Sequence, residues 1–452
     1  MPTYLLFDVG STYTKGCIVD IDQERILAQA SALTTATTDI SIGIQSVKDR
    51  MKDVLSKVTI DQTLACSSAK GGLKMVAVGL VPDLTLKAAT LACYSAGAKV
   101  IQAHSFMLND HEIKQIEDSG CDILLLTGGT DGGNRDVVLH NASKLSKMNR
   151  KFPILYAGNK SCQDDIRAIL STGGFDITIC PNVMPVYGVL EVEECRDKIR
   201  DLFLSTIVKA KGLSELNSLI KEIVLPTPYS VMEALKLLSS GTKSESGIGD
   251  LMAVDIGGAT TDVYSMNKQF VVKDNVGYKG LKEPLQKRSV EGDLGVRFNA
   301  HSVYELKSDE VDDDGMKDYV QEIEEGKIDS FDTEKDSRLA AWCCEIACQR
   351  HAGRMETSYT TMGVGYYQSG KDLRDVRVMI GIGGPILHSK NPDAILKQAL
   401  SQKAHPEILL PLDAETYLDR NYVVSCLGLL AHRHPEEVLR LLKRNVEKLN
   451  DE

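Results

Sequence analysis

Apolar residues along the chain change their spacing several times, and each change predicts an element. Tyr4-Leu5-Leu6-Phe7 is a continuous apolar run that Asp8 stops, the pattern of a short buried strand. The run ends in Asp8-Val9-Gly10-Ser11-Thr12-Tyr13-Thr14-Lys15. A second strand pattern follows at Gly16-Cys17-Ile18-Val19-Asp20, and a third lies near residues 25–30. Two strands joined through a Gly/Ser/Thr turn make a hairpin. A dinucleotide-binding fold would instead open a helix at that turn. Residues 40–58 place Ile44, Val47, Met51, Val54 and Leu55 on one helical face. Strands are predicted at 64–68 and 74–79, and a helix at 83–97.

From residue 99 to 184 the pattern alternates between strand and helix. Val100–Ala103 and Asp122–Leu126 read as strands, the second ending in Thr127-Gly128-Gly129-Thr130-Asp131-Gly132-Gly133-Asn134. A helix over 135–148, a strand over 153–157, a helix over 163–171 and a strand over 176–180 follow, the rhythm of an α/β unit with a parallel sheet. Residues 188–224 are helical and charged. The polar stretch 241–249 reads as a loop. The opening pattern then returns: strand Leu251–Val254, then Asp255-Ile256-Gly257-Gly258-Ala259-Thr260-Thr261-Asp262, then strand Val263-Tyr264-Ser265. The acidic residues within 307–336, Asp312 to Asp314 among them, read as a solvated loop and helix face. Strand 377–380 runs into Gly381-Ile382-Gly383-Gly384-Pro385, and 421–449 read as two helices broken near Pro435.

The two hairpins share a pattern that a turn alone does not require: an apolar strand, an Asp at its end, Gly and hydroxyl residues, then another strand. Gly10, Gly257 and Gly258 let the backbone approach a phosphate without a side chain in the way. Consecutive N–H groups form an anion nest. Ser11, Thr12, Thr14, Thr260 and Thr261 offer hydroxyl donors, and Lys15 offers a positive charge. A bare carboxylate beside phosphate repels it, so Asp8 and Asp255 make chemical sense with Mg2+ between them and the phosphates, held through its waters. Gly381, Gly383 and Gly384 then suit a loop that passes adenosine and the α-phosphate. The Gly-rich turn Thr127–Asn134 sits at a strand end, where α/β units bind ligands; a tight βα turn accounts for it equally well.

Bulk properties narrow the class. The 452 residues predict roughly two to four domains. With 43% hydrophobic and 25% charged residues the chain is ordinary globular protein. A formal net charge of −11 argues against a protein whose main partner is nucleic acid. Eleven cysteines, an odd number without zinc spacing, suggest free thiols in a reducing compartment, and Cys343, Cys344 and Cys348 read as a buried helical face. No leader pattern and no membrane-length apolar run is seen, so a cytoplasmic setting is expected. His104, His111, His432 and His434 form no metal signature, and the last two read as surface residues.

The order of the motifs, with hairpins at Asp8–Lys15 and Asp255–Asp262 and a Gly loop at Gly381–Pro385, resembles the actin, sugar-kinase and heat-shock-chaperone ATPases. Ser289-Val290-Glu291-Gly292-Asp293-Leu294-Gly295 is similar to the chaperones' segment that begins a helix near the nucleotide. A closer resemblance, covering nearly the whole chain, is to the MutL/GlmL family encoded beside glutamate mutase and related aminomutases, a family unrelated to mismatch repair. It rests on Leu5–Lys15, Thr127–Asn134, Asp255–Asp262, Arg288–Arg297 and the overall length.

That resemblance implies an α/β, two-lobed actin-like ATPase (ribonuclease H-like) fold with an additional α/β segment in the first half. It implies ATP and Mg2+ as ligands. The implied partner is an adenosylcobalamin-dependent mutase or its cobalamin subunit, which ATP hydrolysis would help reactivate. The expected division is a first lobe over 1–240, including the α/β segment near 99–184, a second over 241–415, and C-terminal helices over 416–452 packing back on the first. A small-molecule kinase of the same fold is the alternative, and it needs a carboxylate placed against a substrate hydroxyl. A non-catalytic binding module is a third class, against which the presence of both Asp8 and Asp255 speaks.

Overall fold

In the computed structural model, the described residues are 2–10, 12–34, 40–68, 73–203, 224–267, 276–310, 315–327, 333–360 and 363–449. Ser11, most of the charged stretch after Leu202 and Asp312–Asp314 lie outside them.

The opening run forms β1 (Thr3–Val9), which pairs antiparallel with β2 (Tyr13–Asp20), and β2 pairs antiparallel with β3 (Arg25–Leu33). The third strand runs beyond the expected 25–30 because Tyr13 and Thr14 still find partners in Leu33 and Ala32. Helix Ile40–Arg50 covers one face, and the chain turns again at Met51 before Lys52–Leu55. Ile44, Val47 and Met51 are buried as the periodicity predicts. β4 (Gln62–Ser67) then adds parallel to β1.

The chain now leaves this sheet for another. β5 (Leu73–Gly79), β6 (Ala98–Ser105), β7 (Ile123–Leu126), β8 (Ile154–Tyr156) and β9 (Ile177–Ile179) form a wholly parallel sheet in the order β6-β5-β7-β8-β9. Its first strand is the one at 73–79, which sequence alternation did not assign to the α/β segment. Helices Asp110–Asp118, Asp136–Leu145 and Gln163–Thr172 connect the strands. Parallel pairing requires such crossovers. β10 (Val224–Pro226) returns to the first sheet beside β4 and leads into helix Thr227–Ser240.

The second half repeats the first. β11 (Leu251–Ile256) pairs antiparallel with β12 (Thr261–Met266). A small sheet of β13 (Val276–Lys279), β15 (Arg354–Thr360) and β16 (Gly363–Ser369) projects from this half. β14 (Gln286–Glu291) extends the main sheet beside β12, and β17 (Val378–Ile382) and β18 (Glu415–Leu418) add parallel on the other side of β11. The first sheet reads β3-β2-β1-β4-β10 and the second β14-β12-β11-β17-β18, closed by the short β19 (Glu447–Lys448). Both therefore carry three antiparallel strands followed by two parallel ones. Each fifth strand feeds a helix, Thr227–Ser240 in one case and Val424–Gly428 in the other.

Strand alternation decides what lies between the sheets. Tyr4 and Leu6 of β1, with Leu251 and Ala253 of β11, belong to one core, filled by Val231, Leu235, Val424, Leu427, Leu439 and Leu442 of the helices. Leu5, Phe7 and Val9 face the opposite way, toward helix Ile40–Arg50 and the parallel sheet. Met252, Val254 and Ile256 face the long helix Glu334–His351, where Cys343, Cys344 and Cys348 are buried as expected. Each fully buried Leu or Phe contributes about 1.5–3 kcal/mol. This is a two-lobed actin-like ATPase fold with an additional α/β unit in its first half.

Segment 289–295 departs from its expected form. It finishes β14 and turns, and the next helix begins only at Ala300. Antiparallel pairing with β12, down to Glu291 opposite Thr261, holds it extended.

Candidate functional site

The two hairpins close with the same bond. The Gly10 N–H donates to the Tyr13 carbonyl at 3.0 Å, and the Gly257 N–H donates to the Thr260 carbonyl at 2.9 Å. In register, Asp8 lies opposite Lys15 and Asp255 opposite Asp262. Asp8 continues the face of Tyr4 and Leu6, and Asp255 that of Leu251 and Ala253, so both carboxylates belong to the inter-sheet side. The hairpin tips approach one another: a Cβ built on Gly258 would lie 3.6 Å from Thr12 Oγ1.

Asp8 is buried, and each of its oxygens has a hydroxyl donor. Thr227 Oγ1 donates to Oδ1 at 2.7 Å and Ser425 Oγ donates to Oδ2 at 2.9 Å. Those donors open the two helices that follow the fifth strands, so Asp8 ties both helices to one point. Lys15 Nζ lies 3.9 Å from Asp8 Oδ2 and 4.1 Å from the centre of the Tyr422 ring. The Tyr422 hydroxyl is 3.2 Å from His388 Nε2, and Tyr422 itself has φ +51°. Burial, with the charges of Asp262, Asp8 and Asp419 added, pushes the Asp255 carboxyl up to about 7 against the opposing pull of Lys15. Asp419, at the end of β18, accepts the N–H groups of Val423 at 2.9 Å and Val424 at 3.1 Å. Burial outweighs those bonds and pushes it up to about 6.

The Gly-rich third motif divides into different parts. Gly383 has φ +94° and ψ 153°, and a Cβ there would meet the Ile256 carbonyl at 2.2 Å and Asp255 Oδ1 at 2.8 Å. It therefore lies directly against the second hairpin. Gly384 starts the short helix Gly384–Leu387 near the Tyr422 hydroxyl. Gly381 is instead a strand residue, buried under Ile386, Leu396 and Leu418.

Thr14 and Thr261 also depart from the expectation that their hydroxyls face the site. Each lies opposite the residue after the Asp, Val9 and Ile256, and therefore on the far face. Thr14 Oγ1 pairs with Thr34 Oγ1 at 2.8 Å, and Thr261 Oγ1 donates to the Leu294 carbonyl at 2.9 Å. Thr12, Gly257, Gly258 and Thr260 remain at the hairpin tips; Gly258 is held from behind, its carbonyl accepting from Arg297 N at 2.9 Å and Phe298 N at 2.8 Å.

Asp419, Tyr422, Thr227 and Ser425 were not singled out in the sequence. Asp419 follows the short strand Glu415–Leu418, whose Glu-Thr-Tyr-Leu sequence lacks the apolar run that marks Asp8 and Asp255. The other three lie far away in sequence and carry no local pattern. The turn Thr127–Asn134 is fastened by its neighbours. Asn159 accepts from Gly132 N at 3.0 Å and donates to the Gly133 and Asn134 carbonyls, while Asn182 donates to the Gly129 carbonyl and Asp131 at 3.0 Å. His434 is not a simple surface residue, because its Nε2 sits 2.9 Å from the Tyr4 hydroxyl.

Among the described residues no group of three or more His, Cys, Asp or Glu side chains is arranged to hold a metal ion. A cation held by direct protein ligands on every side does not fit. One held chiefly by its own waters, beside Asp8 and Asp255, does fit, as Mg2+ prefers. The carboxylates of Asp8, Asp255 and Asp419 face one lysine, Lys15, and a cation would relieve that imbalance.

Comparison with known proteins places this architecture in a family. At the level of fold, the chain is similar to the glycerol kinase of Plasmodium falciparum solved with ADP, at 12% identity and a TM-score of 0.35, covering all of this chain and 94% of that one. It is similar to the ethanolamine utilization protein EutJ of Carboxydothermus hydrogenoformans at 11% identity and a TM-score of 0.28, covering 95% and 89%. The protein named MutL from Clostridium tetanomorphum is 42% identical over 462 residues, spanning 99% of this chain and the whole of that one. The family described as MutL protein matches residues 4–446, and the chain belongs to it.

Proposed function

We propose that this chain binds ATP and Mg2+ between its two hairpins, hydrolyses the ATP, and uses the cycle to reactivate or chaperone an adenosylcobalamin-dependent mutase or its cobalamin subunit. One observation carries the nucleotide reading: Asp8 and Asp255 sit on the inter-sheet faces of two repeated hairpins whose tips meet at Thr12 and Gly258. The N–H groups of Gly10 and Gly257 are spent inside the turns. The proposed phosphate donors are therefore the N–H groups of Thr12 and of residues 258–260, with the hydroxyls of Ser11, Thr12 and Thr260. Lys15 neutralises phosphate charge. Gly383 seats the loop against the second hairpin, and Gly384 beside it faces the ribose and α-phosphate. Asp8 and Asp255 hold Mg2+ through its waters, and the ion supplies charge stabilisation to the transferring phosphoryl group. Asp8 also receives one donor from the helix that follows each sheet's fifth strand, so closure of the lobes is read at the same carboxylate.

The partner rests on the family resemblance. The eleven cysteines are all free and buried, which accords with a reducing, cytoplasmic setting. Among the described residues no helix is long and apolar enough to cross a membrane. For hydrolysis to drive a partner, the partner must bind the two nucleotide states differently, and a tenfold difference is about 1.4 kcal/mol. The test is steady-state ATP turnover with and without an inactivated cobalamin mutase, together with capture of that mutase in ADP and in a non-hydrolysable ATP analogue. Stimulated turnover and state-dependent capture are expected. Equal capture with no rescue refutes the partner, and turnover that requires a small alcohol or acid favours the kinase.

A further inference from the structure

Two chains of contact run from the opposed aspartates to one short turn of the parallel unit. The first begins at Asp255, whose cross-strand partner is Asp262. Arg288 on β14 is buried and donates its Nε to Asp262 Oδ1 at 2.7 Å. Its Nη1 donates to two carbonyls outside its own sheet, Tyr94 at 3.0 Å and Ala98 at 2.9 Å. Tyr94 lies in the last turn of helix Lys87–Ser95, and Ala98 opens β6. The second chain begins at Asp8, held by the Thr227 hydroxyl at the start of helix Thr227–Ser240. Gly97, with φ +84°, presses on that start: a Cβ there would lie 2.9 Å from Pro226 Cβ and 3.0 Å from Tyr229 N. The turn Tyr94–Lys99 thus touches the arginine that pairs with the cross-strand neighbour of Asp255, and the start of the helix whose Thr227 holds Asp8.

We propose that Arg288 is a positioning residue that couples the state of the Asp255 hairpin to the five-stranded parallel unit through the turn Tyr94–Lys99. The inference rests on the nucleotide reading above and adds to it the route by which the site reaches that unit. The guanidinium is a rigid planar fork. A shift of Asp262 is therefore passed to the two carbonyls or breaks their bonds, whereas a lysine ammonium is a point donor on a flexible stem. The other end of helix Lys87–Ser95 is also tied to the second lobe, with Lys87 Nζ 2.6 Å from Glu283 and Lys287 Nζ 3.2 Å from the same carboxylate. The helix is gripped at both ends and moves with the second lobe. β6 carries that motion to the carboxyl end of the sheet, where Phe106, at φ +64°, and Met107 stand exposed. In parallel sheets of this kind that end is where ligands meet the fold.

The test is hydrogen–deuterium exchange on the full chain, with no nucleotide, with ADP and Mg2+, and with a non-hydrolysable ATP analogue and Mg2+, for the wild type and Arg288→Lys. In the wild type, exchange over residues 94–105 changes between nucleotide states by about fivefold or more. Arg288→Lys keeps nucleotide binding, measured by fluorescent-analogue titration, and loses most of that change. A purely structural ion pair would instead shift exchange equally in every state. A wild type that binds nucleotide without any response over 94–105 overturns the coupling and leaves the nucleotide site standing. So does a folded Arg288→Lys protein that responds like the wild type. A wild type that binds no nucleotide overturns both. If Arg288→Lys does not fold, Arg288→Gln, which keeps an amide donor without the planar fork, is read against the same two outcomes.

Discussion

Replacing Gly383 with alanine tests the contact between the third motif and the second hairpin. The backbone at Gly383, φ +94° and ψ 153°, lies in a region that is essentially glycine's alone. A side chain there costs on the order of 1–3 kcal/mol in strain. Space is a separate obstacle. The new Cβ would stand 2.2 Å from the Ile256 carbonyl oxygen. Ordinary C···O contacts are about 3.3 Å or longer, so the backbone must yield by roughly 1 Å. The same Cβ would stand 2.8 Å from Asp255 Oδ1, so the carboxylate is displaced as well. Misplacing a reacting geometry by about 1 Å costs on the order of a hundredfold in rate. Gly383→Ala is therefore expected to fold with a lowered denaturation midpoint and to lose ATP turnover on that scale. The assay is coupled-enzyme ATPase kinetics beside urea denaturation. Gly384→Ala is the folding control, because its Cβ meets nothing closer than the Tyr422 hydroxyl at 3.4 Å and the midpoint should stay put. Wild-type turnover and an unchanged midpoint in Gly383→Ala would refute the reasoning.

Asp8→Ala and Asp255→Ala should each reduce turnover on the order of a hundredfold, and full activity in both removes the two-hairpin site from consideration. Thr14→Val and Thr261→Val should each lower stability by about 1 kcal/mol through the lost hydroxyl bond, with the KM for ATP unchanged; a raised KM would show that these hydroxyls do reach the ligand. His351 is fully buried between Ser289 Oγ at 2.7 Å and Ser265 Oγ at 2.8 Å, and burial followed by the nearby Lys287 and Lys371 charges holds its imidazole well below the ordinary range. The unfolded chain therefore takes up a proton below about pH 6.5 that the folded chain refuses, so this contribution to stability is complete above that pH and lost as pH falls. Urea midpoints from pH 7.5 to 5 should drop faster for the wild type than for His351→Gln, and parallel curves contradict the assignment.

Much of this was legible beforehand because the hairpins are local. An apolar run stopped by Asp and followed by Gly and Thr specifies a strand, a turn and a second strand without help from the rest of the chain. The repeat at Asp255 was visible for the same reason. Where reading failed, the deciding partner was remote. Thr14 and Thr261 carry the right chemistry but the wrong parity, and parity follows from the register of Val9 with Thr14 and Ile256 with Thr261. A shift by one residue sends a side chain to the other face. Gly381 and Gly383 look alike in sequence, yet one is packed inside a sheet and the other touches Asp255.

Neighbouring residues alone were enough to specify the elements, the doubled Asp-Gly-Thr hairpin, the alternation of an α/β unit and the family, because periodicity and motif are local properties of the chain. The tertiary structure alone decided that β5 joins that unit, that Thr227 and Ser425 meet on Asp8 across 219 and 417 residues of chain, and that Arg288 reaches from Asp262 to Tyr94 and Ala98. Such contacts are set by how sheets stack and helices fill the space between them. That packing is driven by burial of apolar faces, which is non-directional. A polar side chain's partner is fixed only after the faces have met.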